Sequence, residues 1–160
     1  MALRNIRTEG DPILGKVSKP ILEMNEKTRQ LIGDMIETMY HANGVGLAAV
    51  QVGVLKRVVV IDVSENSDSP IILVNPEIID KSGSQTGDEG CLSVPGKTCP
   101  VERAEYVKAK ALDRDGNEFI IEGEGLLARC ILHEYDHLEG ILFIDKSADG
   151  KIYDVDSEEE

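Results

Sequence analysis

Residues 133–137 read His133-Glu134-Tyr135-Asp136-His137, an H-E-x-x-H element whose spacing predicts a helix that carries a metal site. Side chains at positions i and i+4 of a helix are neighbours, with Cβ atoms about 5–6 Å apart, so both imidazoles can reach one ion. Glu134 lies about 100° around the helix from His133, which suits work on a water molecule better than ligation. The element therefore predicts a metallohydrolase site on a helix.

The residues around this element predict a second helix and several strands. One helix is expected from about Asn25 to Asn43, and the motif-bearing helix from about Gly125 to Leu138. Runs rich in β-branched residues predict strands at 57–63 and 71–74, and a turn at 113–117 joins strands expected at 105–112 and 118–122. The order helix, strands, helix favours an α+β fold, with antiparallel sheets packed around the motif-bearing helix and an additional N-terminal helix.

Length and composition indicate one domain. The chain has 160 residues, which is enough for one buried core and too few for two domains. We expect a single catalytic domain over residues 1–146, followed by a short, acidic and mobile C-terminal tail over residues 147–160.

Charge and hydropathy limit the partners. The formal net charge of −13 argues against direct DNA binding by the surface as a whole. No apolar run approaches the roughly 20 residues of a membrane helix, and residues 1–5 lack the core of a signal peptide. Three irregularly spaced cysteines fit reduced thiols rather than a disulfide framework. A cytoplasmic protein without a membrane partner is expected.

A catalytic site of this kind needs a third protein ligand. The extended metalloprotease pattern requires a histidine at position 143, where this chain has Phe143, so a carboxylate such as Asp145 or Asp149 would have to serve. Cys130 lies seven residues before His137, a rise of about 10.5 Å, which is too far for both to bind one ion. Cys130 is better interpreted as a pocket wall.

Two cysteines remain as candidates for the third ligand. Cys91 lies in the segment Glu89-Gly90-Cys91-Leu92-Ser93, where Gly90 permits close backbone approach, and this setting favours Cys91 over Cys99. Two alternatives stay open from the residues alone. One is a peptidase that uses both histidines and a downstream carboxylate; the other is a closed, non-catalytic site in which Cys91 and Cys99 join the two histidines.

A third segment, Gly44-Val45-Gly46-Leu47-Ala48-Ala49-Val50-Gln51-Val52-Gly53, completes an ordered set of three motifs with the segments around Cys91 and His133. In this order the three closely resemble the bacterial peptide deformylases, and the resemblance covers roughly residues 4–146. It implies an α+β fold and a metal-dependent hydrolase that removes the formyl group from the formylmethionine of newly made polypeptides and releases formate.

The resemblance also implies roles for individual residues. The implied metal ligands are Cys91, His133 and His137, and the implied catalytic groups are Glu134, the Gln51 amide and the Leu92 backbone N–H. Substrate contacts are implied for Val45, Gly46, Leu92, Leu126 and Cys130. The implied cofactor is one Fe²⁺ ion, which Ni²⁺, Co²⁺ or Zn²⁺ can replace, and the implied partner is a formyl-Met peptide or nascent chain.

The sequence departs from the family pattern at two places. Leu132 stands where the family usually has glutamine, which removes any polar role at that position. Relatives that dock on the ribosome often end in a basic helix, whereas the chain after Lys146 is short and acidic. A ribosome contact of that kind is therefore expected to be absent or altered.

Overall fold

The computed structural model of the chain describes residues 2–155. Within them it has two α-helices, α1 (Glu26–His41) and α2 (Leu126–Leu138), and three 3-10 helices at Pro12–Gly15, Ala49–Val52 and Phe143–Lys146. Its strands are β1 (Gly46–Ala48), β2 (Val58–Ile61), β3 (Ile71–Ser82), β4 (Gln85–Cys91), β5 (Val94–Arg103), β6 (Tyr106–Leu112), β7 (Glu118–Glu124) and β8 (Tyr153–Asp154).

The strands form two antiparallel sheets. Five strands pair in the order β1-β2-β3-β6-β7, and three pair in the order β4-β5-β8. Every named pair is antiparallel, and β6 and β7 form the predicted hairpin around residues 113–117. The helix α2 packs against strands of both sheets, including β1, β7 and β5. The α+β prediction is confirmed.

The strand β2 shows why helices cover both faces of the five-stranded sheet. Its four residues are all buried, although side chains alternate between the two faces of a strand. Val58 and Val60 belong to the apolar cluster under α1, whereas Val59 and Ile61 belong to the cluster under α2. A run of consecutive apolar residues is what such a two-sided burial requires.

Both helices lie where the sequence predicts them. Asn25 caps α1, since its side-chain oxygen accepts a hydrogen bond of 2.9 Å from the Thr28 N–H. The helix α2 starts after Gly125, which has a positive φ of 59° that only glycine adopts readily. Its end is followed by Gly140, also with a positive φ, which is typical of the residue after a helix.

The prediction of strands was incomplete in the middle of the chain. The strand expected at 71–74 continues to Ser82, past Asn75 in a left-handed conformation and Pro76. Those two residues argue locally against a strand, but pairing with β6 extends it through two register shifts. The strands β4 and β5 had no local signal, because their residues are mostly polar or glycine.

The chain after Lys146 returns to the three-stranded sheet. Tyr153–Asp154 pairs with Lys97–Thr98 of β5, and the Ala148 N–H donates to the carbonyl of Pro100 at 2.7 Å. Residues 156–160, part of the segment expected to be mobile, lie outside the described residues, and the mobility of the tail stays a prediction. None of the helices in residues 2–155 combines the length and apolar character needed to cross a membrane.

Close contact between two turns gives a stability prediction. Gly140 and Gly150 have similar φ values of 78° and 74°, but a Cβ at Gly140 would lie 2.6 Å from the Gly15 carbonyl oxygen, whereas one at Gly150 would meet nothing within 4 Å. Gly150→Ala should lower the free energy of unfolding by about 1 kcal/mol, through its backbone conformation alone. Gly140→Ala should lower it by at least about 2 kcal/mol more, because its added methyl group also meets the Gly15 carbonyl.

Urea unfolding of the two variants measures this difference. Equal losses in the free energy of unfolding would show that the turn at Gly15 yields to the added methyl group.

Candidate active site

Three side chains converge at the inner face of α2. One ligand atom from each of Cys91, His133 and His137 lies within 4.8 Å of those of the other two. The Cys91 sulfur is 3.3 Å from His137 Nε2. Both histidines are buried, and Cys91 is half-buried. A thiolate and two imidazoles in this spacing suit a first-row metal ion and leave room for a fourth, exchangeable ligand.

A bulge in β4 brings Cys91 to the helix. The register of the β4–β5 pair shifts between Glu89 and Cys91, so Glu89 lies opposite Cys99 while Cys91 lies opposite Val94. A bulge bends its strand and changes the direction of the following side chain. Glu89 and Cys91 consequently both reach α2, where Glu89 contacts His133 and Cys91 contacts His137.

Glu89 orients the first histidine. His133 Nδ1–H donates a hydrogen bond of 2.8 Å to Glu89 Oε1, which leaves Nε2 of the same ring for a metal. Arg103 donates to both carboxylate oxygens of Glu89 at 2.9 Å, and Arg129 Nη1 donates at 2.6 Å. Burial by itself would raise the pKa of Glu89, but the hydrogen bonds from Arg103 and His133 outweigh it and lower the pKa to about 2.

Arg103 extends this network to the motif itself. Its Nη1 donates a hydrogen bond of 2.6 Å to Asp136, the fourth residue of the H-E-x-x-H element. The side chains of Arg103 and Glu89 are each only 3% exposed. The sequence reasoning gave no role to this buried network. An arginine at position 129, four residues before His133 on a mostly apolar helix, is the one local signal for it.

Glu134 lies beside the three converging side chains in a closely fitted position. Its Oε1 atom is buried and has no hydrogen-bond partner among residues 2–155. A Cβ added to Gly46 would lie 2.5 Å from Glu134 Oε2, so the glycine backbone of β1 fits directly against the carboxylate. Burial raises the pKa of Glu134 to about 7. Such a group can take up and release a proton near neutral pH.

A cavity of about 410 Å³ opens onto this group. Cys91, His133 and Glu134 line it, and so do all the residues for which the resemblance implied substrate contact: Val45, Gly46, Leu92, Leu126 and Cys130. Burial raises the pKa of the Cys130 thiol to about 12, and the nearby Glu134 charge adds to the shift. A neutral thiol agrees with Cys130 as a wall of the cavity.

The buried side chain of Gln51 contacts the segment that holds Cys91. Its side-chain oxygen accepts the Ala48 N–H at 2.9 Å, and its amide nitrogen donates to Ser93 Oγ at 3.0 Å. The same nitrogen is 3.6 Å from the Cys91 sulfur. The segment of residues 44–53 is thus connected to the segment that holds Cys91. Leu132 packs within the apolar cluster under α2, so no polar partner is needed at that position.

The alternative ligands lie elsewhere. Cys99 is fully buried, and its thiol faces the Phe143 carbonyl oxygen at 3.8 Å. The Phe143 ring stacks on the His133 ring with centroids 5.9 Å apart. Asp145 and Asp149 are exposed and bond to residues close to them in the chain. Among the described residues, neither a peptidase ligand set nor a closed four-ligand site is formed.

One thiol and two imidazoles converge here, and a buried carboxylate lies beside them at the end of a cavity. This combination defines a metal-dependent hydrolase. The family model described as Polypeptide deformylase matches residues 3–152. The chain belongs to the peptide deformylase family, whose members remove the N-terminal formyl group from newly made polypeptides.

Relatives and solved structures agree over nearly the whole length. The chain is 60% identical to the peptide deformylase of Agathobacter rectalis over 159 residues, which cover 99% of this chain and 98% of the relative. The crystal structure of a Legionella pneumophila peptide deformylase is 50% identical, with a TM-score of 0.89 over 92% of this chain and 87% of that one. The Thermotoga maritima structure is 41% identical and also has a TM-score of 0.89, covering 92% and 99%.

The buried network gives a prediction for Glu89. Glu89→Gln keeps the shape of the side chain but turns an amide towards arginine donors, so it should reduce the free energy of unfolding by about 3–5 kcal/mol. Glu102→Gln is the matched control, because Glu102 is exposed on β5 and its side chain bonds only Ser84 among the described residues. The control should change stability by less than about 0.5 kcal/mol.

Urea unfolding of both variants, with and without a chelator, checks this prediction. A Glu89→Gln protein as stable as Glu102→Gln would contradict the proposed importance of the network.

Proposed function

We propose that Cys91, His133 and His137 hold the metal of this peptide deformylase, and that Glu134 is its catalytic acid and base. The observation that carries the proposal is the placement of the buried Glu134 carboxylate beside the three converging ligand atoms, at the inner end of the cavity. Asp136 does not take Glu134's place, because Arg103 holds its carboxylate away in the buried network.

The metal we propose is Fe²⁺, with Ni²⁺, Co²⁺ or Zn²⁺ able to substitute, since a thiolate with two imidazoles accepts several first-row ions. When bound, such an ion supplies Lewis-acid chemistry, lowering the pKa of water and polarising the formyl oxygen. The ring of His133 is prepared for this role by Glu89, which fixes its Nδ1–H and so its tautomer.

Glu134 has the position and the pKa for proton transfer. A carboxyl group with a pKa of about 7 accepts a proton from water and returns it to the departing amine at neutral pH. Gly46 keeps the carboxylate in place, because its backbone lies closer to Glu134 than any residue with a side chain could. Oε1 has no protein partner among the described residues and is free to bond water or substrate.

Gln51 and Leu92 are proposed to stabilise the negative charge that develops on the formyl oxygen. The Gln51 amide nitrogen lies 3.6 Å from the Cys91 sulfur, and the Ala48 N–H holds the side-chain oxygen of Gln51 in place. A donor held in advance needs no reorganisation during the reaction, which is why one such donor typically contributes a factor of about 10²–10³ in rate.

The cavity walls fit the first residue of the substrate. Val45, Leu92, Leu126 and Cys130 present apolar surface to the cavity, and Gly46 leaves its backbone accessible. An unbranched apolar methionine side chain suits this lining. We therefore propose a formyl-Met peptide or nascent chain as the substrate.

The expected location is the cytoplasm, where new polypeptides are made. The catalytic domain is proposed to span residues 1–146. Residues 147–155 contain the two-residue strand β8 beside β5 and no basic helix, so we propose that contact with a ribosome, where it occurs, uses another surface.

The ligand proposal predicts different effects for two cysteines. Cys91→Ser should lose most of the bound metal and the activity, because a hydroxyl is a much weaker ligand than a thiolate. Cys99→Ser should keep both within about twofold, since its thiol does not belong to the converging group. Metal content by plasma mass spectrometry, on protein purified without oxygen, checks this. Full metal content in Cys91→Ser would refute the ligand set.

The catalytic proposal predicts that Glu134→Gln binds metal at the wild-type level but hydrolyses formyl-Met-Ala-Ser at least about 100-fold more slowly. Glu122→Gln, a substitution of an exposed carboxylate on β7, serves as the control and should leave turnover unchanged. Formate release at saturating substrate is the measurement. Retained turnover in Glu134→Gln would mean that another group moves the proton.

A further inference from the structure

The segment after β8 reaches the mouth of the active-site cavity. Val155 follows β8 directly, and its N–H donates a hydrogen bond of 2.8 Å to the Gly96 carbonyl oxygen of β5. Gly96, Lys97 and Val155 all line the cavity that contains Cys91 and Glu134. A residue near the end of the described chain is therefore part of the wall of the proposed active site.

Three exposed apolar side chains line this cavity, together with the exposed polar residues Asn43, Asp88 and Lys97. Val45, Leu126 and Val155 line it and are 47%, 55% and 53% exposed, respectively, whereas Glu134 at its inner end is 5% exposed. We name these three residues the apolar rim. Val155 belongs to none of the apolar clusters of the core. Its packing in the fold thus does not account for an apolar side chain at this position.

Side-chain contacts hold Val155 in place. Lys97 Nζ is 2.6 Å from Asp154 Oδ1, in register with the pairing of these two residues across β5 and β8. The Tyr153 hydroxyl donates a hydrogen bond of 2.6 Å to Asp149 Oδ2, and the Lys151 N–H donates to the other oxygen of Asp149 at 2.9 Å. The strand is consequently attached at both its backbone and its side chains.

The direction of the substrate makes this placement relevant. The formyl group must reach Glu134 and the converging ligand atoms at the buried end, so the residues that follow methionine leave the cavity past the rim. Buried residues of α2, among them Cys130, His133 and Glu134, form the inner wall of the cavity.

We propose that Val155 is a specificity-determining residue, which contacts apolar side chains of the substrate downstream of formylmethionine. This proposal rests on the proposed function of the site. Val45 and Leu126 lie where a methionine side chain is expected, and Val155, which follows β8, adds another apolar side chain to the lining of the same cavity. The energy comes from removing apolar area of both partners from water. The strand β8 thereby connects the C-terminal part of the chain to substrate choice.

The test compares two exposed valines in the full chain. Val155→Asp should raise KM about fivefold for formyl-Met-Ala-Ile-Leu, because partial burial of a valine side chain is lost. The kcat of that peptide, and both constants for formyl-Met-Ala, should stay the same. Val17→Asp, at a valine that is 58% exposed and away from the cavity, should change none of them. Val155→Ile, which keeps an apolar side chain, should have the wild-type KM for formyl-Met-Ala-Ile-Leu.

Each outcome decides a separate question. Equal KM values for Val155→Asp and Val17→Asp on the longer peptide would overturn the role of Val155 while leaving the deformylase function intact. A fall in kcat for both peptides, or a lower melting temperature, would show that Val155 acts on the fold instead. Failure of the wild-type protein to release formate from either peptide would overturn both proposals.

Discussion

The hydrogen bonds and ion pairs that Arg103 makes with Glu89 and Asp136 are the interaction on which the site depends. They join β4, β5 and α2 in one buried network, and through Glu89 they orient the His133 ring. Taking such charges out of water is costly, and only their mutual pairing offsets that cost. The network therefore selects one arrangement of strand and helix, which is the arrangement that brings Cys91 to the two histidines.

The sheet and helices make this arrangement rigid. The strand β2 is covered on both faces, by α1 on one side and α2 on the other, so the sheet edge at β1 cannot shift without disturbing two apolar clusters. Gly46 in β1 lies directly against Glu134. The position of the Glu134 carboxylate, the proposed catalytic group, is thus set by packing of the core as well as by its own helix.

Some elements could be predicted from sequence because their signals are local. The stripe of α1, its Asn25 cap, the apolar β2 and the hairpin at residues 113–117 each depend on neighbouring residues. The strands β4 and β5 could not, because their residues are mostly polar or glycine and give no local signal for the pairing that the structure shows on either side of the bulge at Gly90. The contact of β8 with β5 also had no local signal, since β8 is only two residues long and its partner lies more than fifty positions away.

The sequence by itself determined the helix that carries His133, Glu134 and His137, since i,i+4 spacing and apolar periodicity are properties of a single segment. With the segments around Gln51 and Cys91 it also determined the family. Only the tertiary structure decided that Glu89 is buried under two arginines, that Gly46 contacts Glu134, and that Val155 lines the cavity. These are contacts between residues far apart in the chain, and burial, not local pattern, determines their energies.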